Sequence, residues 1–165
     1  MGDFQDGIPS TAMVDLLLFT LDDRSYALRL ERVARVAPLV DITPLPAAPA
    51  IVLGVIDVAG DILPVLDIRQ RFDLPPRRQR LEDALVMVHA GQRLVALLVD
   101  HVTGTIQLPA ASLVPVEGVV PGTRYFDSVT RLAEGPVFIH DVDHFLSLAE
   151  AAALDDSLGR QRGDA

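Results

Sequence analysis

The side chains best placed to do chemistry are four histidines, two aspartates that close apolar runs, and one arginine cluster. The histidines are His89, His101, His140 and His144. His140 and His144 stand four apart in His-Asp-Val-Asp-His, so on a helix they would share a face, with Asp141 or Asp143 adding an oxygen. A zinc site needs a third and a fourth ligand, and this cluster falls where a strand hands over to a helix. The expected reading is exposed polar residues at a helix start, the aspartates favoured by the helix dipole, with no metal. Asp67 and Asp141 each follow an apolar run and precede a helical turn. Such a carboxylate pair could act as acid and base, and with the histidines would describe a small β-barrel enzyme. An N-cap accepting backbone N–H bonds explains both residues and their repetition, and is the preferred reading.

Other catalytic signatures are missing from the sequence. It has no cysteine, hence no thiolate nucleophile, thiolate metal site or disulfide, which fits a reducing, cytoplasmic setting. It also lacks a P-loop, a Gly-x-Ser-x-Gly elbow and a Rossmann glycine pattern. We therefore assign no catalytic residue, no cofactor and no metal ligand, and expect a protein that is not an enzyme. The Arg77, Arg78, Arg80 run after Pro75-Pro76 reads as a solvated loop. With 23 acidic residues against 14 basic and a net charge of -9, nucleic acid would be repelled. Neither an export signal nor an apolar run of membrane-spanning length is visible, so no direct membrane insertion is expected.

The elements that must position these residues are short and β-rich. Leu16–Leu21, Val52–Val58, Ile62–Leu66, Leu85–Val88 and Leu94–Val99 have strand length and composition. Turn signals separate them, and 12 prolines oppose long helices. One helix is expected from a cap at Asp141 or Asp143 through Phe145 to Leu154, and a short one after Asp67 through Arg71. Pro44, Pro46 and Pro49 read as a rigid extended connection.

The chain also repeats itself. Residues 16–33 lie without a gap on residues 85–102, an offset of 69. Leu16, Leu18 and Phe19 fall on Leu85, Met87 and Val88; Tyr26, Leu28 and Val33 fall on Val95, Leu97 and Val102; Glu31 falls on Asp100. A fainter echo follows, in which Gly60 to Asp67 and Gly135 to Asp141 both run glycine, apolar strand, aspartate. Two units of about 14–83 and 84–154 are expected, each too small to bury its apolar faces alone, packed as one domain over residues 14–154. Residues 1–13 and 155–165 have the composition of disordered or mobile tails.

Taken together, the opening Phe19 to Val33, the Ile42 to Phe72 segment with its glycine–hydrophobic–glycine hairpin, and the Leu97 to Val102 run resemble the CheW-like domain family of bacterial chemosensory adaptors. The resemblance covers about residues 14–150. It implies a mainly β fold of two intertwined five-stranded SH3-like barrels with short helices and a C-terminal helix. It also implies a cytoplasmic scaffold that couples the tip of a methyl-accepting chemoreceptor to the regulatory domain of a CheA-type histidine kinase. The same module could serve a non-chemotaxis pathway, such as pilus motility or gene regulation.

By resemblance, Val33, Val36, Gly54 and Gly60 fall at partner-contact positions, and Val102 joins them as the counterpart of Val33. Two departures mark the hairpin and the strand before it. The family's Asn-x-Arg-Gly is here Asp57-Val58-Ala59-Gly60, and its glutamate two residues after Val33 is here Arg35. A swapped pair, Arg35 with Asp57 or Asp61, is expected to tune partner choice. The candidate partner-binding set is therefore Val33, Arg35, Val36, Gly54, Asp57, Ala59, Gly60 and Val102.

Overall fold

A computed structural model describes residues 4–5, 8–9, 12–116 and 125–163. The strands are β1 (Phe4–Gln5), β2 (Ile8–Pro9), β3 (Met13–Leu21), β4 (Arg24–Arg29), β5 (Val33–Pro38), β6 (Val52–Val58) and β7 (Asp61–Leu66). They continue with β8 (Ala84–Ala90), β9 (Arg93–Val99), β10 (His101–Pro109), β11 (Val114–Pro115), β12 (Phe126–Leu132) and β13 (Gly135–His140), before the helix α1 (Leu148–Gly163). One sheet runs β5-β8-β9-β7-β6 and the other β10-β3-β4-β13-β12, with β11 added at its outer side. The architecture is the expected pair of intertwined SH3-like barrels.

The two sheets have the same plan. At the offset of 69, β3, β4 and the start of β10 correspond to β8, β9 and the start of β5, with the copies in reversed roles. At an offset of 74, β6 and β7 lie on β12 and β13 residue for residue. Each sheet carries one parallel contact, Val65 with Ala96 and Ile139 with Ala27, at corresponding positions. Bulges recur too: Val33/Arg35 matches Val102/Gly104, and Val52/Gly54 matches Phe126/Ser128.

The repeat units are not the spatial units. Hairpin β3–β4 from the first copy completes the sheet of β10, β12 and β13, while hairpin β8–β9 from the second completes the sheet of β5, β6 and β7. A cut at residue 83 would therefore leave each sheet in two pieces. These exchanged hairpins are apolar on both faces, which is why they read as continuous hydrophobic runs. Leu85, Met87 and Ala96 face one barrel interior, and Leu16 and Ala27 face the other. Phe19, Leu21, Leu28, Val86, Val88, Val95, Leu97 and Val99 meet in a larger core shared by both sheets.

Strands β5, β10 and β12 escape the apolar pattern because they are edge or polar strands. In β12 the polar Ser128 and Thr130 are themselves buried. The expected tails also change. Strands β1 and β2 pair inside residues 1–13. Helix α1 runs on past Leu154 to Gly163, burying Ser157 and Leu158 where a mobile end was expected. Leu158 lies one turn beyond Leu154, so it continues the face that packs on the shared core. The cap of α1 is Ser147, not Asp141 or Asp143. Ser147 Oγ accepts from Glu150 N at 3.1 Å, and Glu150 Oε1 accepts from Ser147 N at 2.9 Å, a reciprocal capping box.

Candidate docking surface

The expected partner residues divide into an edge strand, a hairpin tip and one buried support. Among the described residues, strand β5 pairs only with β8, which leaves its other edge without a described strand beside it. Ala34, Arg35 and Val36 are exposed on it, Val33 is half-buried, and Val40 lies exposed just beyond. The bulge between Val33 and Arg35 twists this edge. In the other barrel, Val102 is half-buried at the corresponding bulge of edge strand β10.

The hairpin tip is Ala59-Gly60, with φ of 53° and 93°. Positive φ at both residues is the I′ geometry that matches strand twist in two-residue hairpins. Asp57 Oδ1 accepts from Gly60 N at 2.9 Å, so this aspartate serves its own turn. Ile62, paired with Asp57, adds an exposed apolar side chain that sequence reasoning missed because it sits inside a strand pattern. Gly54 is different. It is buried, and a Cβ on it would lie 2.2 Å from Thr43 O. Its close approach is thus to this chain's own connection, where Thr43 and Val55 exchange backbone bonds of 2.9 and 2.8 Å. Gly54 thus lies beneath the surface, packed on this chain's own connection.

The expected swapped pair does not form. Among the described residues, no ion pair joins Arg35 to Asp57 or Asp61.

Strong electrostatics sit elsewhere, under the turns. Buried Arg69 pairs with Asp22 and with Asp100 at 3.0 Å, and donates to Pro75 O at 3.0 Å. Arg77 bridges Asp100 and the buried Asp83, 2.9 Å away. Thus part of the basic run is structural, while Arg78 and Arg80 are exposed. Burial pushes the Asp100 carboxyl up, but the Asp22 N–H and the Arg77 and Arg69 guanidiniums outweigh it and hold it below the usual range.

Both capping aspartates act as expected, each accepting a 3.2 Å bond from the N–H two residues on. Each opens a 3-10 turn, Ile68–Phe72 or Val142–His144. The histidine pair, by contrast, separates. His140 is buried in the core, whereas His144 is exposed, its Nδ1 2.6 Å from Asp141 Oδ2. Among the described residues no three His, Asp or Glu side chains converge as a metal site would require.

The model of the CheW-like domain family matches residues 15–150, both barrels from the start of β3 to the first turn of α1. The chain belongs to the CheW-like domain family. It is 26% identical over 144 residues to the chemotaxis protein CheW of Klebsiella aerogenes, covering 86% of this chain and 87% of that one. A 27% match over 115 residues to protein FrzA of Myxococcus xanthus covers 70% of this chain and 59% of that one. The crystal structure of the scaffolding protein TtCheW from Thermoanaerobacter tengcongensis superposes with a TM-score of 0.78 at 23% identity, covering 84% of this chain and 96% of that one. This CheW-like domain therefore presents the family's architecture. No described helix is long and apolar enough to cross a membrane.

Proposed function

We propose that this CheW-like protein is a cytoplasmic scaffold of bacterial signal transduction that couples chemoreceptors to a CheA-type histidine kinase and performs no chemistry itself. The observation that carries this reading is the family match across both barrels, laid on a body whose edge strands β5 and β10 are open. The kinase regulatory domain and the receptor's cytoplasmic tip are the two partners. Val33, Arg35, Val36, Asp57, Ala59 and Gly60 contribute contacts on the β5–β9 barrel, and Val102 on the other, with Gly54 acting from beneath. Open strand edges and exposed apolar side chains suit docking by strand addition or by an apolar helix face. Coupling then needs only different affinities for two receptor states.

The non-chemotaxis reading is favoured by Arg35 and Ala59, which replace the charges the family usually carries there. Both readings are tested by titrating the purified chain with the kinase regulatory domain and a receptor-tip fragment from the same organism. Binding of both is expected, with Arg35→Glu weakening one of them at least tenfold. If neither partner binds the unmodified chain, the scaffold reading fails; if Arg35→Glu binds as before, Arg35 is not part of the surface.

A further inference from the structure

His140 ends β13 at the place where β7 ends in Leu66, and both positions are buried. The imidazole is only 2% exposed, and neither ring nitrogen has a hydrogen-bond partner among the described residues. Its neighbours are rings: Phe72 at 4.5 Å between centroids, Phe19, Tyr26 and Phe126 at 5.2 Å, and Phe145 at 5.4 Å. Three of these rings come from strands of one sheet and two from the segments after β7 and before α1. Phe19, Tyr26 and Phe126 belong to the six-stranded sheet, Phe72 closes the turn after β7, and Phe145 precedes α1.

We propose that His140 makes the joint between the two barrels acid-sensitive, because its protonated form has no place in this aromatic box. A charged imidazole here would be a buried cation without an acceptor, which folding strongly disfavours. Among the rings packed on it, Tyr26 on β4 titrates, and burial pushes that phenol up, so it stays neutral; Arg29, Glu31, Arg32, Asp127, Asp141 and Asp143 line a cavity that His140 borders, yet none bonds to either ring nitrogen. The ring contacts from strand β3, strand β12, the turn after β7 and the residue before α1 are phenylalanines. The adjoining Asp141 spends its carboxylate on Asp143 N and on His144. Burial alone pushes the His140 imidazole down to about 3.

The direction follows from proton linkage. The folded chain refuses a proton that the unfolded chain accepts near pH 6.5, so stability is complete above that pH and falls as acid is added. Relative to pH 8, the unfolding constant rises about fourfold at pH 6 and about 30-fold at pH 5 from this residue alone. Other groups titrate as well, so the quantity to read is a ratio.

Urea unfolding of the intact chain and of His140→Leu, at pH 8, 6 and 5, isolates it. Leucine already occupies the counterpart position 66. The ratio of unfolding constants, unmodified over variant, should climb about 30-fold from pH 8 to pH 5. A ratio that stays flat overturns the proposal. Should the variant not fold, the imidazole resonances of the intact protein decide. A His140 signal that keeps its neutral position down to pH 5 supports the box, and one that titrates near 6.5 in the folded chain overturns it.

Discussion

The two barrels share strand order, both bulges, the parallel contact and the aspartate caps, yet differ in what fastens each hairpin turn to its neighbour. At the β3–β4 turn, Asp22 and Asp100 meet buried Arg69, and Arg77 and Asp83 extend the charges inward. At the matching β8–β9 turn, Gly91 N donates to Asp143 Oδ1 at 2.7 Å, and Asp143 also pairs with the half-exposed Arg32. Arg69 and Asp143 occupy equivalent positions with opposite charge. Duplication has kept the backbone devices that set the fold and let side chains at the same sites diverge.

The sharpest way to break this comparison is at the paired bulges. Gly54 and Ser128 correspond, but only Gly54 is pressed against a backbone. Gly54→Ala should cost about 3 kcal/mol, since Thr43 must move and overpacked sites rarely relax fully. Ser128→Ala should cost about 1 kcal/mol, the loss of its 2.6 Å bond to Asp127. Equal losses in urea unfolding would mean the two bulges play the same part.

Next comes the pair of turn clamps. Arg69→Leu leaves Asp22 partly buried without its cation and Asp100 with Arg77 alone, and about 2 kcal/mol is expected after discounting for their exposure. Asp143→Asn, at an exposed site, should cost under about 1 kcal/mol. Asp100 and His140 carry the same sign with pH, each losing its support as acid is added, and differ only in the range where that happens. Asp100, held below its ordinary range, supports the fold above about pH 4 and loses that support as pH falls further, so Arg69→Leu should flatten stability only there. A uniform loss at every pH would show that Arg69 works by packing alone.

The smallest effect sharpens the turns. The β6–β7 hairpin holds Ala59 at φ 53°, whereas the equivalent residue of the β12–β13 hairpin is not left-handed. Ala59→Gly should stabilise by about 1 kcal/mol through relief of that strain. Thermal unfolding would show it as a rise of a few degrees. No rise would mean that glycine's extra chain entropy cancels the relief.

Much of this was readable from residue order. The gapless repeat at 69 marked the exchanged hairpins because both their faces are buried and apolar. The second echo was anchored at Gly60 and Gly135, whereas the structure aligns Asp61 with Gly135; the misplacement arose because Phe126 to Leu132 carries buried serine and threonine in place of aliphatic residues. The Asp67 and Asp141 caps were legible, since capping is local. His140 was not: nothing nearby in sequence announces the five rings that surround it. Gly54 was expected at a partner contact, and only tertiary structure could reveal this chain's own Thr43 as what approaches it. Ser147-x-x-Glu150 was a readable cap overlooked in favour of the aspartates.

The exchanged hairpins have one mechanical consequence. Pulling on either end of this molecule strains strands that belong to both ends, because each sheet is laced with the other copy's chain at two positions. Force or displacement delivered at β5 therefore passes through its ladder with β8 and along the covalent chain of β9 into β10, which is laddered in turn to β3.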